Sequence, residues 1–341
     1  MEKAMSSTIK DVARYAGVST ATVSRVINND PNVKPQNAEK VREAIKACNF
    51  VPNFVARNLK SARSNTIGLV VSDISNPYFT AMAKVIESCL RERGYDMLIC
   101  STDEDQAKEV GYLDRFMSNR VDGIILNTTG KNNEFIIELS KKLPIVLIER
   151  QISSPDFHGD YVGANNANSI YSMTQFLLRI GHRRIGFLNS ELSVSTGIER
   201  MEGFTRAMQD AHIKVSKEYH YLHESRYFSY EGGYEGAEWM MAQAQPPTAL
   251  IAANNTLALG ALSYLRNSNI RVPEDISFMC YGELQNSALL YIDPSYSTLS
   301  PNTMGERAAR FLLDRMGNAN VFNRQAIFES QIVIGKSVQN A

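Results

Sequence analysis

TIKDVARYAGVSTATVSRVIN, Thr8 to Asn28, is the stretch on which the reading of the chain turns. Apolar Ile9, Val12, Ala13 and Ala16 recur at i, i+3, i+4 and i+7, the period of a helix that buries one face. Thr8 followed by Asp11 forms a capping box, in which each side chain can satisfy a backbone N–H at the other's position. Gly17 ends the pattern, because glycine alone enters a left-handed turn without steric cost. Ser19 is placed to cap a second short helix, Thr20 to Asn28, with Val23, Val26 and Ile27 inward. At about 100° per residue, Ala21, Ser24, Arg25 and Asn28 share the outward arc. That arc holds short side chains around one arginine and no carboxylate, so it can press into a groove and reach a base edge. Two short helices, a glycine turn and an outward polar arc describe a helix-turn-helix.

The bulk numbers agree with a head and a body of different character. The chain has 341 residues, room for two or three domains, and 44% hydrophobic, 21% charged and 9% aromatic residues, an ordinary globular make-up. Net charge is zero, but residues 1–65 hold 11 Lys/Arg against 5 Asp/Glu, so the remainder is acidic. A basic head on an acidic body is the footprint of a phosphate-binding module joined to a part that need not touch DNA. Cys48, Cys89, Cys100 and Cys280 lie far apart with no CxxC pair, which points to buried thiols in a reducing compartment and to no zinc site. No apolar run approaches the ~18 residues of a membrane span, and no signal peptide precedes Thr8, so a cytoplasmic, nucleoid-associated protein is expected.

Onward along the chain, Pro35 to Cys48 reads as a third helix with Val41, Ala44, Ile45 and Cys48 inward, completing a three-helix headpiece. Asn53 to Ser61 reads as a helix of roughly two turns, too short to stand alone in water. It needs a covering partner, such as its twin from a second subunit together with DNA. Ser61 to Thr66 has the composition of a linker. From there buried runs alternate with helices: strands at Thr66–Val71, Asp96–Cys100, Gly123–Asn127 and Ile145–Glu149, helices near 78–93, 106–119 and 132–142. A second set follows, with strands at Ile185–Asn189, Tyr219–Leu222, Ala249–Ala253 and Ile276–Tyr281, and helices near 168–181, 198–211, 230–243 and 256–268. Such alternation means doubly wound parallel sheets. Two α/β lobes in tandem imply a cleft at the carboxyl ends of the strands.

DVARYAGVSTATVSRVIN, with FVPNFVARNLKSARSNTIGLVV further on, closely resembles the lactose/galactose-repressor (LacI/GalR) family of transcription regulators, and the likeness runs from Thr8 to beyond Met304. The resemblance implies an α/β fold: a three-helix headpiece ahead of a two-lobed core like a type I periplasmic binding protein. It divides the chain into headpiece 1–50, hinge helix and linker 51–65, a first lobe of 66–163 and 295–323, and a second lobe of 164–294 and 324–341. The chain would then cross between lobes near 163, 294 and 323. By the same likeness Thr20, Ala21 and Arg25 read bases, the arginine by forking onto guanine O6 and N7. Thr8, Ser19, Thr22, Ser24, Asn28 and Asn53 hold phosphates; capping is a compatible role for Ser19 and Thr22. In the hinge, Ala56, Arg57, Leu59 and Lys60 meet the DNA, Leu59 as the wedge that kinks a central minor-groove step and Arg57 and Lys60 beside it as phosphate or groove contacts. A homodimer, using faces such as 81–94 and 256–268, implies a pseudo-palindromic operator.

For the cleft, the resemblance implies a small-molecule effector, a carbohydrate or related metabolite. Its candidate contacts are Tyr78, Phe79, Asn127, Glu149 and Arg150 from the first lobe, and Thr196, Arg200, Phe228, Asn254 and Glu283 from the second. Core packing is the rival role for Tyr78 and Phe79, and an ion pair across the cleft for Arg200. Several positions depart from the family pattern: Asn254-Asn255 lacks an acid, Gly282 stands where an aspartate is usual, and Asn165-Asn166 and Ser300-Pro301 replace other polar members. Either the ligand is not a common free sugar, or the pocket has weakened and a partner protein supplies regulation; a sugar-binding transport protein is the remaining, weaker alternative. Signals for chemistry are poor: no GxSxG, GxxxxGK[ST] or HExxH is present, and His220 with His223 has no third ligand. The expectation is a regulator, most commonly a repressor, with no catalytic residue, no metal and no cofactor.

Overall fold

The computed structural model describes residues 7–27, 30–50, 64–190, 192–215, 219, 221–318 and 322–341. Asn28 and the hinge residues Asn53, Ala56, Arg57, Leu59 and Lys60 lie outside the described residues, as does His220. The chain falls into two compact units, up to Ser64 and from Asn65 onward.

In the first unit α1 (Ile9–Ala16), α2 (Thr20–Ile27) and α3 (Pro35–Ala47) enclose a small core. Val12, Val23, Val41 and Ala44 are its centre, with Ile9, Val18, Ile27, Ile45 and Phe50 around them. The start of α1 is fixed as its sequence suggests. The Thr8 N–H and hydroxyl both donate to the Asp11 carboxylate, at 2.9 and 2.6 Å. Those bonds hold the Asp11 carboxyl below its usual range. Gly17 then takes φ +64°, the left-handed turn that lets α2 cross α1. The Ser19 Oγ accepts from the Thr22 N–H at 3.2 Å, so Ser19 does serve as a cap.

The second unit contains two six-stranded sheets. The first sheet is built from β1 (Thr66–Val71), β2 (Asp96–Ser101), β3 (Gly123–Leu126), β4 (Ile145–Ile148), β5 (Asp160–Ala164) and a late strand, β11 (Gln325–Phe328). Their order is β11-β5-β4-β3-β1-β2, all parallel. Helices α4 (Pro77–Arg91), α5 (Gln106–Ser118) and α6 (Asn133–Ser140) connect the early strands. The second sheet holds β6 (Ile185–Ser190), β7 (Leu222–Ser225), β8 (Ala249–Ala252), β9 (Ser277–Tyr281), β10 (Ser295–Thr298) and β12 (Gln331–Val333). It runs β12-β10-β9-β8-β6-β7, with only β12 antiparallel. Its helices are α7 (Asn166–Arg179), α8 (Ser195–Asp210), α9 (Tyr230–Met241) and α10 (Asn255–Asn267); α11 (Pro301–Gly317) returns to the first lobe. There Met304, Ala308 and Leu312 pack against Ile67, Ile125 and Val146.

Three sequence expectations need correction. Residues 295–298 pair with β9 and so belong to the second lobe; residues 325–328 pair with β5 and belong to the first. The chain therefore changes lobe between 298 and 301 and between 328 and 331, rather than near 294 and 323. Hydrogen bonding sets these crossings, since the chain pairs β10 with β9 and β11 with β5 before it leaves each sheet. The strand expected at Tyr219–Leu222 lies instead at β7, three residues later. Leu222 pairs with Phe187, while the Tyr219 hydroxyl is drawn off to the Ile185 carbonyl at 2.7 Å. Of the cysteines only Cys280 is buried; Cys48, Cys89 and Cys100 are half-buried thiols.

Gly233 and Gly260 set the closest helix contact of the second lobe's outer layer. A Cβ on Gly233 would come within 2.1 Å of the Leu257 carbonyl, and one on Gly260 within 1.9 Å of the Tyr230 carbonyl. The glycines let α9 and α10 touch backbone to backbone. His182 has a structural place as well, with Nδ1 2.9 Å from the Thr248 hydroxyl and Nε2 3.1 Å from the Ser277 hydroxyl.

Candidate functional site

On the headpiece, burying Val23 and Val26 turns Ala21 and Arg25 to solvent, with Ser24 half-exposed beside them. The Arg25 side chain is 66% exposed, and its only ionic neighbour among the described residues is Asp30, with Nε to Oδ2 at 4.0 Å. Such a pair is loose and screened by solvent, so the guanidinium can exchange it for another acceptor. Thr8, Ser19, Thr20 and Thr22 carry hydroxyls on the exposed or half-exposed ends of α1 and α2.

In the second unit a cleft of about 540 Å³ lies between the two sheets, at the carboxyl ends of their strands. Tyr78, Phe79, Asn127, Glu149, Arg150, Thr196, Arg200, Phe228, Asn254 and Glu283 all line it. Their engagement differs. Asn127 follows β3, is 1% exposed and donates to the Ile148 carbonyl at 3.1 Å. Its Oδ1 is buried with no hydrogen-bond partner among the described residues. Leaving an acceptor so costs about 1–3 kcal/mol. Phe79 is 9% exposed and sits with Ile67, Met82 and Ile86 in the first-lobe core, so packing is its main role here.

Glu149 follows β4 with φ +62°, a left-handed backbone that costs a non-glycine residue on the order of 1–3 kcal/mol. Neighbours fix it there: its N–H donates to the Val162 carbonyl at 2.9 Å and its carbonyl accepts from the Tyr161 hydroxyl at 2.9 Å. The result aims the Glu149 carboxyl at the Tyr78 hydroxyl, which donates to it. Burial raises the Glu149 carboxyl pKa, more than the Tyr78 hydrogen bond and the Arg200 and Arg150 charges lower it. Arg150 turns the other way, its two Nη groups held by the Glu104 carboxylate at 2.7 Å each.

Arg200 and Thr196 stand one turn apart on α8, both buried. The Arg200 Nε donates to Asn166 Oδ1 and Nη1 to the Ala253 carbonyl, each at 2.9 Å. Its guanidinium lies 4.3 Å from the Tyr281 ring centroid and 5.2 Å from that of Phe228. Among the described residues no ion pair spans the cleft from it. Asn254 caps α10 through the Leu257 N–H at 2.8 Å, while Glu283 is exposed on the loop after β9. Reading the sequence passed over Glu104 and Tyr281, which clamp Arg150 and stack on Arg200. Glu104 sits in a plain acidic run, and Tyr281 reads as strand core.

The lobes meet at the cleft edge. Asn255 Nδ2 donates to Asn76 Oδ1 at 2.8 Å, and Asn76 Nδ2 donates back to Asn255 Oδ1 at 3.2 Å and to the Thr256 hydroxyl at 3.3 Å. Elsewhere the Gln151 N–H donates to the Ser195 Oγ at 3.0 Å, and its side chain donates to Glu199 at 2.8 Å.

A helix-turn-helix unit ahead of a two-lobed core with a polar, aromatic cleft is the make-up of a ligand-responsive DNA-binding regulator. The chain belongs to the LacI family of bacterial regulatory proteins, a class of DNA-binding proteins and not of enzymes. Residues 8–53 match the model of the bacterial regulatory proteins of that family, and residues 64–327 that of periplasmic binding proteins and the sugar binding domain of LacI family. It is 33% identical over 337 residues to the HTH-type transcriptional repressor PurR of Mannheimia succiniciproducens, covering 98% of this chain and 99% of that one. It is 32% identical to the ribose operon repressor of Haemophilus influenzae, covering 97% and 98%. Among solved structures, the transcriptional regulator CelR–cellobiose complex superposes with a TM-score of 0.73 at 26% identity, covering 97% of this chain and 99% of that one. The lac repressor dimer bound to operator and the anti-inducer ONPF shares the fold, with a TM-score of 0.82 at 23% identity, covering 98% and 99%. No helix among the described residues is long and apolar enough to cross a membrane.

Proposed function

We propose that the protein is a repressor that binds a pseudo-palindromic operator as a homodimer and that a small molecule, a carbohydrate or related metabolite, held between the lobes sets its DNA affinity. The observation that carries the effector half is a cleft lined by polar and aromatic side chains from both lobes, with the buried, unpartnered Oδ1 of Asn127 in its wall. For the DNA half, support comes from the exposed Arg25 on the outward arc of α2 and from relatives named as repressors. Thr20, Ala21 and Arg25 read bases; Thr8, Ser19, Thr22, Ser24, Asn28 and Asn53 hold phosphates; Ala56, Arg57, Leu59 and Lys60 meet the DNA, Leu59 in the minor groove. Such a protein works where the chromosome is, in the cytoplasm. Ligand binding shifts one lobe against the other, alters the spacing of the paired hinges and so changes operator affinity, as linkage between two sites requires.

Operator titration of the Leu59→Ala variant tests the hinge, with weaker binding and less DNA bending expected. Unchanged affinity and bending would remove Leu59 from the account. Thermal shift with candidate metabolites tests the cleft, since a ligand of the folded state must raise the melting point. If no metabolite does so while operator binding persists, regulation belongs to a partner protein and the pocket is vestigial.

A further inference from the structure

The lobes are tied together a second time through α8. Thr196 and Arg200, one turn apart, present one flank of that helix to the cleft. Ser195 and Glu199 each precede them by one residue. They stand on the adjoining flank, about 100° round the helix axis and outside the cleft lining. Gln151 of the first lobe, next to Glu149 and Arg150 after β4, grips that flank at both positions. Its N–H donates to Ser195 Oγ at 3.0 Å and its side-chain amide to Glu199 Oε1 at 2.8 Å. The second carboxylate oxygen, Glu199 Oε2, accepts from Asn166 Nδ2 at 2.8 Å, and Asn166 Oδ1 accepts from Arg200 Nε at 2.9 Å. Asn166 opens α7 just after the chain leaves β5 of the first lobe. Chemistry fixes the direction of each bond. A guanidinium only donates, so Asn166 presents Oδ1 to Arg200 and its amide hydrogens to Glu199. A carboxylate only accepts, and Glu199 takes one amide on each oxygen.

We infer that Glu199 is a positioning residue for the regulatory response: it hands a displacement of Arg200 in the cleft on to Gln151, and so ties the state of the cleft to the placement of the first lobe. That a bound effector displaces Arg200 rests on the reading of the cleft as the effector site; the chain of bonds from Arg200 through Asn166 and Glu199 to Gln151 does not. The chain begins on a buried cleft cation, passes the point where the backbone changes lobe, and ends on the other lobe. Each of its bonds joins a charged group to an amide, the stronger class of hydrogen bond, so a shift at one end is not lost as slack at the next. Gln151 shares its segment with Glu149 and Arg150, so a pull on it reaches two further residues of the cleft wall. Glu199 itself lies outside that wall, and replacing it removes no side chain from the cleft.

The test is a mutant cycle on the full-length protein and needs no ligand. Arg200→Lys keeps the charge but loses the Nε bond, and Gln151→Ala removes the far arm. In the parent protein their effects on the unfolding equilibrium are expected to be non-additive by at least about fivefold, although no hydrogen bond joins the two residues directly. With Glu199→Leu, which removes both acceptors, the two effects become additive within about twofold. Glu199→Gln retains the coupling, because its oxygen accepts from Asn166 while its amide donates to a turned Gln151 Oε1. Should Glu199→Leu fail to fold, Glu199→Asp takes its place, being too short to reach both amides. Hydrogen exchange at the Gln151 N–H reads the transmission itself. Arg200→Lys should speed it at least about threefold in the parent and leave it unchanged with Glu199→Leu. Additive effects in the parent, or coupling that survives the loss of both acceptors, would overturn the inference. Neither result bears on whether a metabolite raises the melting point, so the effector reading stands or falls separately.

Discussion

The paired amides of Asn76 and Asn255 make a direct prediction about how the lobes are held. Each side chain both gives and receives, at 2.8 and 3.2 Å, and Thr256 adds a third bond at 3.3 Å. Hydrogen bonds between neutral groups contribute about 0.5–1.5 kcal/mol each, so the reciprocal Asn76–Asn255 pair alone contributes on the order of 1–3 kcal/mol to the closed arrangement. At 1.4 kcal/mol per decade, its loss shifts the ratio of closed to open by roughly 5- to 100-fold. Asn76→Ala and Asn255→Ala should each open the lobes, and the double variant should add little, a coupling of about 1–2 kcal/mol. The Asn255→Asp change is informative because it restores an acid. Asn76 cannot turn its amide to suit, since its Oδ1 also accepts from the Tyr78 N–H at 3.0 Å. The 2.8 Å contact then sets two acceptors face to face, and the latch weakens in this variant too. Small-angle scattering reads the lobe separation directly, as a larger radius of gyration in each variant. Scattering from all four variants identical to that of the parent protein, with strictly additive effects on operator affinity, would refute the latch.

Other expected outcomes follow from single sites. Asp160 is fully buried and accepts from Arg315 at 2.6 and 3.1 Å and from Arg324 at 2.8 Å. Asp160→Asn leaves two guanidiniums against a neutral amide and should cost about 3–5 kcal/mol, read in chemical denaturation. Burial pushes the Asp160 carboxyl up, but the Arg315 and Arg324 bonds outweigh it and hold the pKa below normal. The stability this adds is therefore full above the unfolded value of about 3.9 and is lost as pH falls through the folded one, a dependence the Asn variant should not show. Gly233→Ala drives a Cβ into the Leu257 carbonyl and should cost about 1–3 kcal/mol, seen as a melting point a few degrees lower. Arg25→Ala should lower operator affinity by about 1–3 kcal/mol and relax selectivity at one base position; equal loss on all sequences would make Arg25 a phosphate contact instead.

The parts of the fold legible in the sequence are those set by neighbours in the chain. Capping at Thr8, the turn at Gly17 and the inward faces of α1 to α3 are each decided within one or two helical turns. Strands β1, β3, β4 and β8 are unbroken apolar runs and announce themselves. Strand β5 does not, because it opens on Asp160, whose charge is met by Arg315, 155 residues away, and Arg324, 164 away. The late strands β10, β11 and β12 have three or four residues each and only partial burial, so the sequence places the later crossings a few residues off. In the cleft, the residues at strand ends could be named from motif resemblance. What each is bonded to could not: Glu104 reaches Arg150 across 46 residues, and Asn255 meets Asn76 across 179. The two arginines carry the family pattern in sequence, yet only the structure shows Arg150 held by Glu104 and Arg200 by Asn166 and the Ala253 carbonyl.

Selection of bound sequences from random duplex DNA, repeated with pooled cell metabolites, tests the central claim most directly. A regulator of this kind should enrich a single pseudo-palindrome, lose that enrichment when Arg25 is replaced by Ala, and gain or lose it with at least one metabolite pool. Enrichment of no palindrome, by a protein that is folded and dimeric, would contradict the account at its root.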